Sequence, residues 1–281
     1  MMTAEQIKGR IRNLAADNHV PAQLILQNFM LERLLERIAH SKYQKNFILK
    51  GGFLISAMTG IAARTTMDMD ATVQALPLSR DSISEIFQEI LSVDVHDPIV
   101  FSLVSIETIR EHDSYQGVRL TFTADFPPLK VPVKMDLTTG DSIFPNARKM
   151  ELKLMFTSES TCIMAYNIET ILAEKLETIL FRGEMNTRLR DFYDIWLLCS
   201  HFKDEIDGTI LLTAIQKTME HRTTTSLLQH AEQILQHIAN SDILKQYWHN
   251  YQNTTNYAQN CSFSETISAI ANLLDIIRET Q

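Results

Sequence analysis

At 281 residues, 45% of them hydrophobic, the chain can fill one large core or two ordinary ones, and its 21% charged residues exclude a disordered polypeptide. Lys and Arg number 26 against 34 Asp and Glu, a formal net charge of −8, so a broadly basic nucleic-acid coat is excluded and any such contact must come from a local patch. No run approaches the roughly 18 apolar residues of a membrane span, and the opening residues lack an apolar stretch, which reads as a cytosolic protein without membrane attachment. Cys162, Cys199 and Cys261 form no CxxC pair and read as reduced packing residues. The histidines show no HxxxH spacing, leaving carboxylates as the ligands of any metal.

The first forty residues predict two helices. Thr3 and Gln6 form a possible capping box for the first, and Pro21 opens the second. Leu24, Phe29, Leu31, Leu34, Leu35 and Ile38 give the second an apolar side, and Arg33, Glu36 and Arg37 are expected to give it a wet one. A short apolar run over 46–50 meets Gly51-Gly52 and a helical pattern to about Gly60, which predicts strand, tight turn and helix. From Asp68 the pattern has period two, a half-buried strand. A helix is expected over about 81–91 and strands over about 99–109, 117–126 and 130–138. The last two alternate cleanly and flank Pro127-Pro128, a hairpin signature. Segments near 152–156 and 161–165 are candidate edge strands.

From Asn167 onward every pattern is helical: about 168–182, 190–202, 208–220, 224–239, 241–250 and 263–279. The expected organisation is an α+β domain over 1–165 with a mixed sheet and a helical domain over 166–281.

Asp68 and Asp70, two apart on a strand, project from one face, where like charges call for a cation between them and suit a hard divalent ion. A solvated strand face is the plainer reading of a lone DxD. Sixteen residues before Asp68 stands the Gly51-Gly52 turn, whose backbone amides and helix start can hold phosphate oxygens. Lys50 and Arg64 add cations nearby, or are surface charges. Asp136, on the polar face of its strand, is a third carboxylate that could complete a two-metal phosphoryl-transfer site, or an exposed strand residue. Lys175 falls on the apolar stripe of its helix, so it either snorkels or is aimed at an anion. Asp191 and Asp194 open the next helix, one of them a candidate N-cap. Arg182, Arg188 and Arg190 form the densest basic cluster, interrupted by Glu184.

Five stretches occur in one order: Lys50-Gly51-Gly52-Phe53-Leu54, Arg64-Thr65-Thr66-Met67-Asp68-Met69-Asp70, Lys134-Met135-Asp136-Leu137-Thr138-Thr139-Gly140-Asp141, Ala173-Glu174-Lys175-Leu176-Glu177 and Arg188-Leu189-Arg190-Asp191-Phe192-Tyr193-Asp194. In this the chain resembles the AbiEii family of nucleotidyltransferase-like toxins of bacterial toxin–antitoxin and abortive infection systems. The resemblance implies a DNA-polymerase-β-like nucleotidyltransferase core with N-terminal helices and an all-helical C-terminal lobe. It implies Gly51 and Gly52 as the phosphate turn, with Lys50 and Arg64 beside the nucleotide. Asp68 and Asp70 become Mg2+ ligands, with Asp136 a candidate third, and Lys175 and Asp191 become essential residues, with Asp194 a further candidate. Phe53 departs from the small hydroxyl residue that many members carry there.

The implied activity is Mg2+-dependent transfer of a nucleotide from an NTP to an acceptor, with an RNA such as the tRNA 3′ end as the expected acceptor, so that translation stops. An antitoxin encoded nearby is the expected partner, and direct binding is not required of it. The alternatives are a catalytically silent nucleotide-binding regulatory or interaction protein, and a transferase acting on protein hydroxyls.

Overall fold

The computed structural model describes residues 2–109 and 117–280. By packing they fall into two units, one of Met1–Gly140 with Arg148–Ala165 and one of Asp141–Ala147 with Tyr166–Gln281.

The first unit begins with helix α1 (Ala4–Asp17), closed at its start by the Thr3–Gln6 capping box, and α2 (Ala22–His40), whose N-cap is Pro21. Then follow β1 (Phe47–Lys50), α3 (Gly51–Thr59), β2 (Asp68–Val73), α4 (Arg80–Leu91), β3 (Val100–Ile109), β4 (Gly117–Phe126), β5 (Leu129–Thr139), β6 (Arg148–Lys153) and β7 (Ser160–Ala165). The strands form one mixed sheet in the order β3-β4-β5-β2-β1-β7-β6. Pairs β2/β5 and β1/β7 run parallel and the rest antiparallel. Residues Met69, Ala71 and Val73 of β2, Leu120 and Phe122 of β4, and Val133, Met135 and Leu137 of β5 are buried, so the period-two pattern delivers one apolar face as expected.

Two of the elements in this unit depart from expectation. Of the segments read as edge strands, β6 begins earlier, at Arg148, and is the edge, whereas β7 is internal, paired with β6 on one side and parallel to β1 on the other. Its alternation resembles that of an edge strand because only Thr161, Ile163 and Ala165 face inward.

The second is α2. Its expected wet side is not wet: Arg33, Glu36 and Arg37 are each no more than 6% exposed, and neighbouring Glu32 is buried with them. This helix packs against α1, α4, β5 and β7, which covers both its faces; Arg33 pairs with Glu32 and Glu36 of the same helix, and the remaining charges find partners beyond it. Arg37 donates to both oxygens of Asp97 (3.0 and 2.7 Å) and to the Ile99 carbonyl (2.8 Å), while Glu32 takes the Met155 amide on its two oxygens (2.9 and 2.8 Å). Burial pushes the Glu32 carboxyl up to about 7, against the pull of Arg33 and the Met155 amide. Gln27 and Asn28 of the same helix donate to the carbonyls of Pro132 (2.7 Å), Met67 (3.3 Å) and Thr66 (2.8 Å). By these bonds α2 pins the start of β2 to β5.

The second unit is helical: α5 (Ile168–Arg182), α6 (Leu189–Phe202), α7 (Gly208–His221), α8 (Ser226–Gln229), α9 (Ala231–Asn240), α10 (Asp242–Thr254) and α11 (Phe263–Glu279). A single helix was expected over 224–239. Two are found, parted at His230, whose backbone (φ −110°, ψ 10°) leaves the helical region. Asn167 caps α5 through the Thr170 amide (2.8 Å) and donates to the Phe144 carbonyl (2.8 Å), fastening segment 141–147 to the helices. All three cysteines are free, but Cys162 is exposed rather than packed. Burial pushes the Cys199 thiol up to about 11 and the Cys261 thiol up to about 12, so both stay protonated. Among the described residues no helix is long and apolar enough to cross a membrane.

Candidate active site

In the sheet unit, β1 ends at Lys50 and α3 starts at once, a reversal possible because Gly51 takes φ +67°. The Asp70 carboxylate lies against this glycine. A Cβ added at Gly51 would stand 2.9 Å from Asp70 Cγ and closer still to an oxygen. Gly51→Ala is therefore expected to cost roughly 1–3 kcal/mol in backbone strain and to displace Asp70. Denaturant unfolding beside a transfer assay checks both effects, and an unstrained, fully active variant contradicts this account. A Cβ at Gly52 would meet an Arg64 terminal nitrogen at 3.1 Å and Thr66 Oγ1 at 3.2 Å, so both donors crowd the first turn of α3. Arg64 and Lys50 are buried, at 4% and 8% exposure, and are not the surface charges that the sequence also allowed.

Asp68 and Asp70 sit half-buried on one face of β2, and Thr66 Oγ1 donates to Asp68 Oδ1 at 2.7 Å. Strand register then aligns four charges across the sheet. Lys50 of β1 opposes Asp70 of β2, Asp70 opposes Asp136 of β5, and Asp136 opposes Arg119 of β4. Register partners project from the same face about 5 Å apart. The row therefore reads cation, carboxylate, carboxylate, cation, with Asp68 next to it on β2.

The hard oxygen donors of Asp68 and Asp70 suit a divalent cation, and the bare backbone of Gly51 leaves the Asp70 carboxylate its place. Among the described residues no three His, Cys, Asp or Glu side chains converge as a metal-binding group. Asp136 is held instead by Arg119, through Nε to Oδ1 and a terminal nitrogen to Oδ2, both 2.7 Å. Asp136 holds the Arg119 guanidinium far above its ordinary value, first by these hydrogen bonds and then by its charge.

Lys175, Asp191 and Asp194 belong to the helical unit. Lys175 Nζ donates to Asp191 Oδ1 at 2.9 Å and to Asp194 Oδ2 at 2.6 Å. Burial works to lower its pKa, and the two aspartates outweigh burial, so it stays above the ordinary lysine value. The lysine therefore does not snorkel. Neither aspartate is an N-cap, since Arg188 holds that position.

The family model for the nucleotidyl transferase AbiEii toxin of type IV toxin–antitoxin systems matches residues 33–268. The chain belongs to the AbiEii family. Two solved structures share its fold. A presumed nucleotidyltransferase from H. pylori is 12% identical over 92% of this chain and 96% of its own, with a TM-score of 0.53. JHP933 from Helicobacter pylori is 14% identical over 91% and 92%, with a TM-score of 0.51. No curated protein sequence matches the chain.

In this AbiEii chain the residue that sequence reasoning passed over is Arg119. A signal was present. With Pro127-Pro128 as a two-residue loop, Phe126 opposes Leu129, and counting back along both strands sets Arg119 against Asp136. Thr66, which orients Asp68, was also passed over, and a hydroxyl two residues before an aspartate carries no such signal.

Proposed function

We propose that this toxin transfers a nucleotide from an NTP to the 3′ end of an RNA, tRNA being the favoured acceptor, and so stops translation in the cytoplasm. The sheet unit serves as a polymerase-β-like core and the helical unit as its C-terminal lobe. The observation that carries the reading is the seating of Asp70 against the Gly51 turn, which sets a carboxylate beside backbone amides at a helix start, within a chain of nucleotidyltransferase family.

Asp68 and Asp70 would hold Mg2+, which when bound supplies charge neutralisation to the phosphates and the attacking oxygen. The Gly51 and Gly52 amides, Lys50 and Arg64 bind and orient the triphosphate, and Thr66 keeps the Asp68 carboxylate from rotating away. Lys175, held protonated by Asp191 and Asp194, has a third donor for a phosphate oxygen. An antitoxin need only oppose the effect, without binding this chain.

Incubating the protein with each labelled NTP, Mg2+ and total RNA tests the reading. Label is expected in RNA of tRNA size and is expected to be lost on chelation. Label appearing only in protein moves the acceptor to a protein hydroxyl, and none anywhere leaves a nucleotide-binding protein that transfers nothing. Either result overturns the proposal.

A further inference from the structure

Arg119 and Asp136 form a two-point ion pair on the face that carries Asp68 and Asp70. The pair is partly open to solvent, with the Asp136 side chain 15% and the Arg119 side chain 39% exposed. Asp136 is also the strand neighbour of Asp70, so two carboxylates stand side by side in the row, flanked by Lys50 and Arg119. Asp68 stands two residues before Asp70 on the same face of β2. The third carboxylate has both of its oxygens occupied.

We propose that Arg119 is a resident counter-ion that withholds Asp136 from the divalent-metal site, so that opening of the Arg119–Asp136 pair sets the affinity of the site for its ion. This rests on the reading of Asp68 and Asp70 as metal ligands. A guanidinium suits the task because its fork matches both carboxylate oxygens and keeps Asp136 in place without the metal. When the ion enters, Asp136 exchanges the guanidinium for the metal and Arg119 turns to solvent, toward which it is already partly exposed. The ordinary alternative is a cross-strand ion pair with no bearing on the site.

Calorimetric titration of the full chain with Mn2+, without nucleotide, separates these readings. The proteins compared are wild type, Asp70→Asn, Arg119→Gln, Asp136→Asn and the Arg119→Gln/Asp136→Asn double variant, with thermal unfolding of each to confirm folding. Wild type is expected to bind, Asp70→Asn to lose binding, and Arg119→Gln to bind roughly tenfold tighter, the factor expected for one released charge-assisted pair. Asp136→Asn is expected to bind more weakly than wild type, and the double variant to match it.

Unchanged or weaker binding by Arg119→Gln overturns the proposal while leaving the metal site standing. A gain that persists in the Asp136→Asn background overturns it too, because that gain would come from removing a nearby positive charge rather than from freeing Asp136. If wild type binds no Mn2+, the metal reading falls and this inference with it. Should Arg119→Gln fold poorly, Arg119→Lys, which keeps the charge but not the fork, is expected to bind Mn2+ more tightly than wild type, and unchanged affinity again overturns the proposal.

Discussion

Asp70→Asn is expected to lower nucleotide transfer by about three orders of magnitude or more, since bound metal is worth several kcal/mol of transition-state charge stabilisation. Its thermal midpoint is expected to stay within a few degrees of wild type. Asn keeps the volume of Asp and so fills the same place against Gly51. Removing the charge relieves repulsion with Asp136, its strand neighbour, and with Asp68 two residues away, but takes a counter-charge from Lys50, which is buried at 8% exposure. The two effects oppose each other, hence the small net change in stability. Chelation of wild type is expected to reproduce the loss. Transfer at the wild-type rate by folded Asp70→Asn would remove the metal assignment, whereas loss of folding would show that the carboxylate is structural.

Lys175→Met is expected to have the largest effect on stability, a loss of roughly 3–5 kcal/mol. The substitution leaves two carboxylates without the cation between them, one on an Asp191 side chain 9% exposed and the other on Asp194 at 0%. For a freely snorkelling lysine the same change would be neutral or stabilising. The lysine pKa is raised in the fold, so its stabilisation is complete below the ordinary value of 10.5 and is lost only as pH rises beyond that, which leaves the cluster intact at neutral pH. Denaturant unfolding checks the magnitude, and a loss below about 1 kcal/mol would contradict it. Lys175→Met/Asp194→Asn removes one charge of each sign and is expected to recover much of the stability. If Lys175 serves the phosphates, the folded double variant stays inactive. Recovery of transfer together with stability would assign the lysine a structural role alone.

Much of the fold is local in origin and was therefore legible. Strand alternation named the buried residues of β2, β4 and β5, because a period of two maps directly onto one covered face. Two prolines between matching strands marked the β4–β5 hairpin, and helices α5 and α11 have the bounds their periodicity predicts. The candidate residues were legible as types in an order that resembles the AbiEii family, and the family match over residues 33–268 bears out the resemblance.

What stayed hidden depends on contacts between residues distant in the chain. The parallel pairing of β2 with β5, which sets Asp70 beside Asp136, joins strands 66 residues apart with no turn to dictate their register. Helix α2 has an amphipathic sequence, yet its charged side is buried because other elements add partners to its own ion pairs: the Asp97 carboxylate and the Ile99 carbonyl before β3, and the Met155 amide after β6. Lys175 shows the same division most clearly. Its place on an apolar stripe was set by helical period alone, and so was the need for an anion near its ammonium. Which anions answer that need was settled by the packing of α6 on α5, which brings Asp191 and Asp194 from 16 and 19 residues away. Local sequence determines which face a side chain occupies, and only the tertiary structure determines what that face meets, because a charge can be buried only where another part of the chain compensates it.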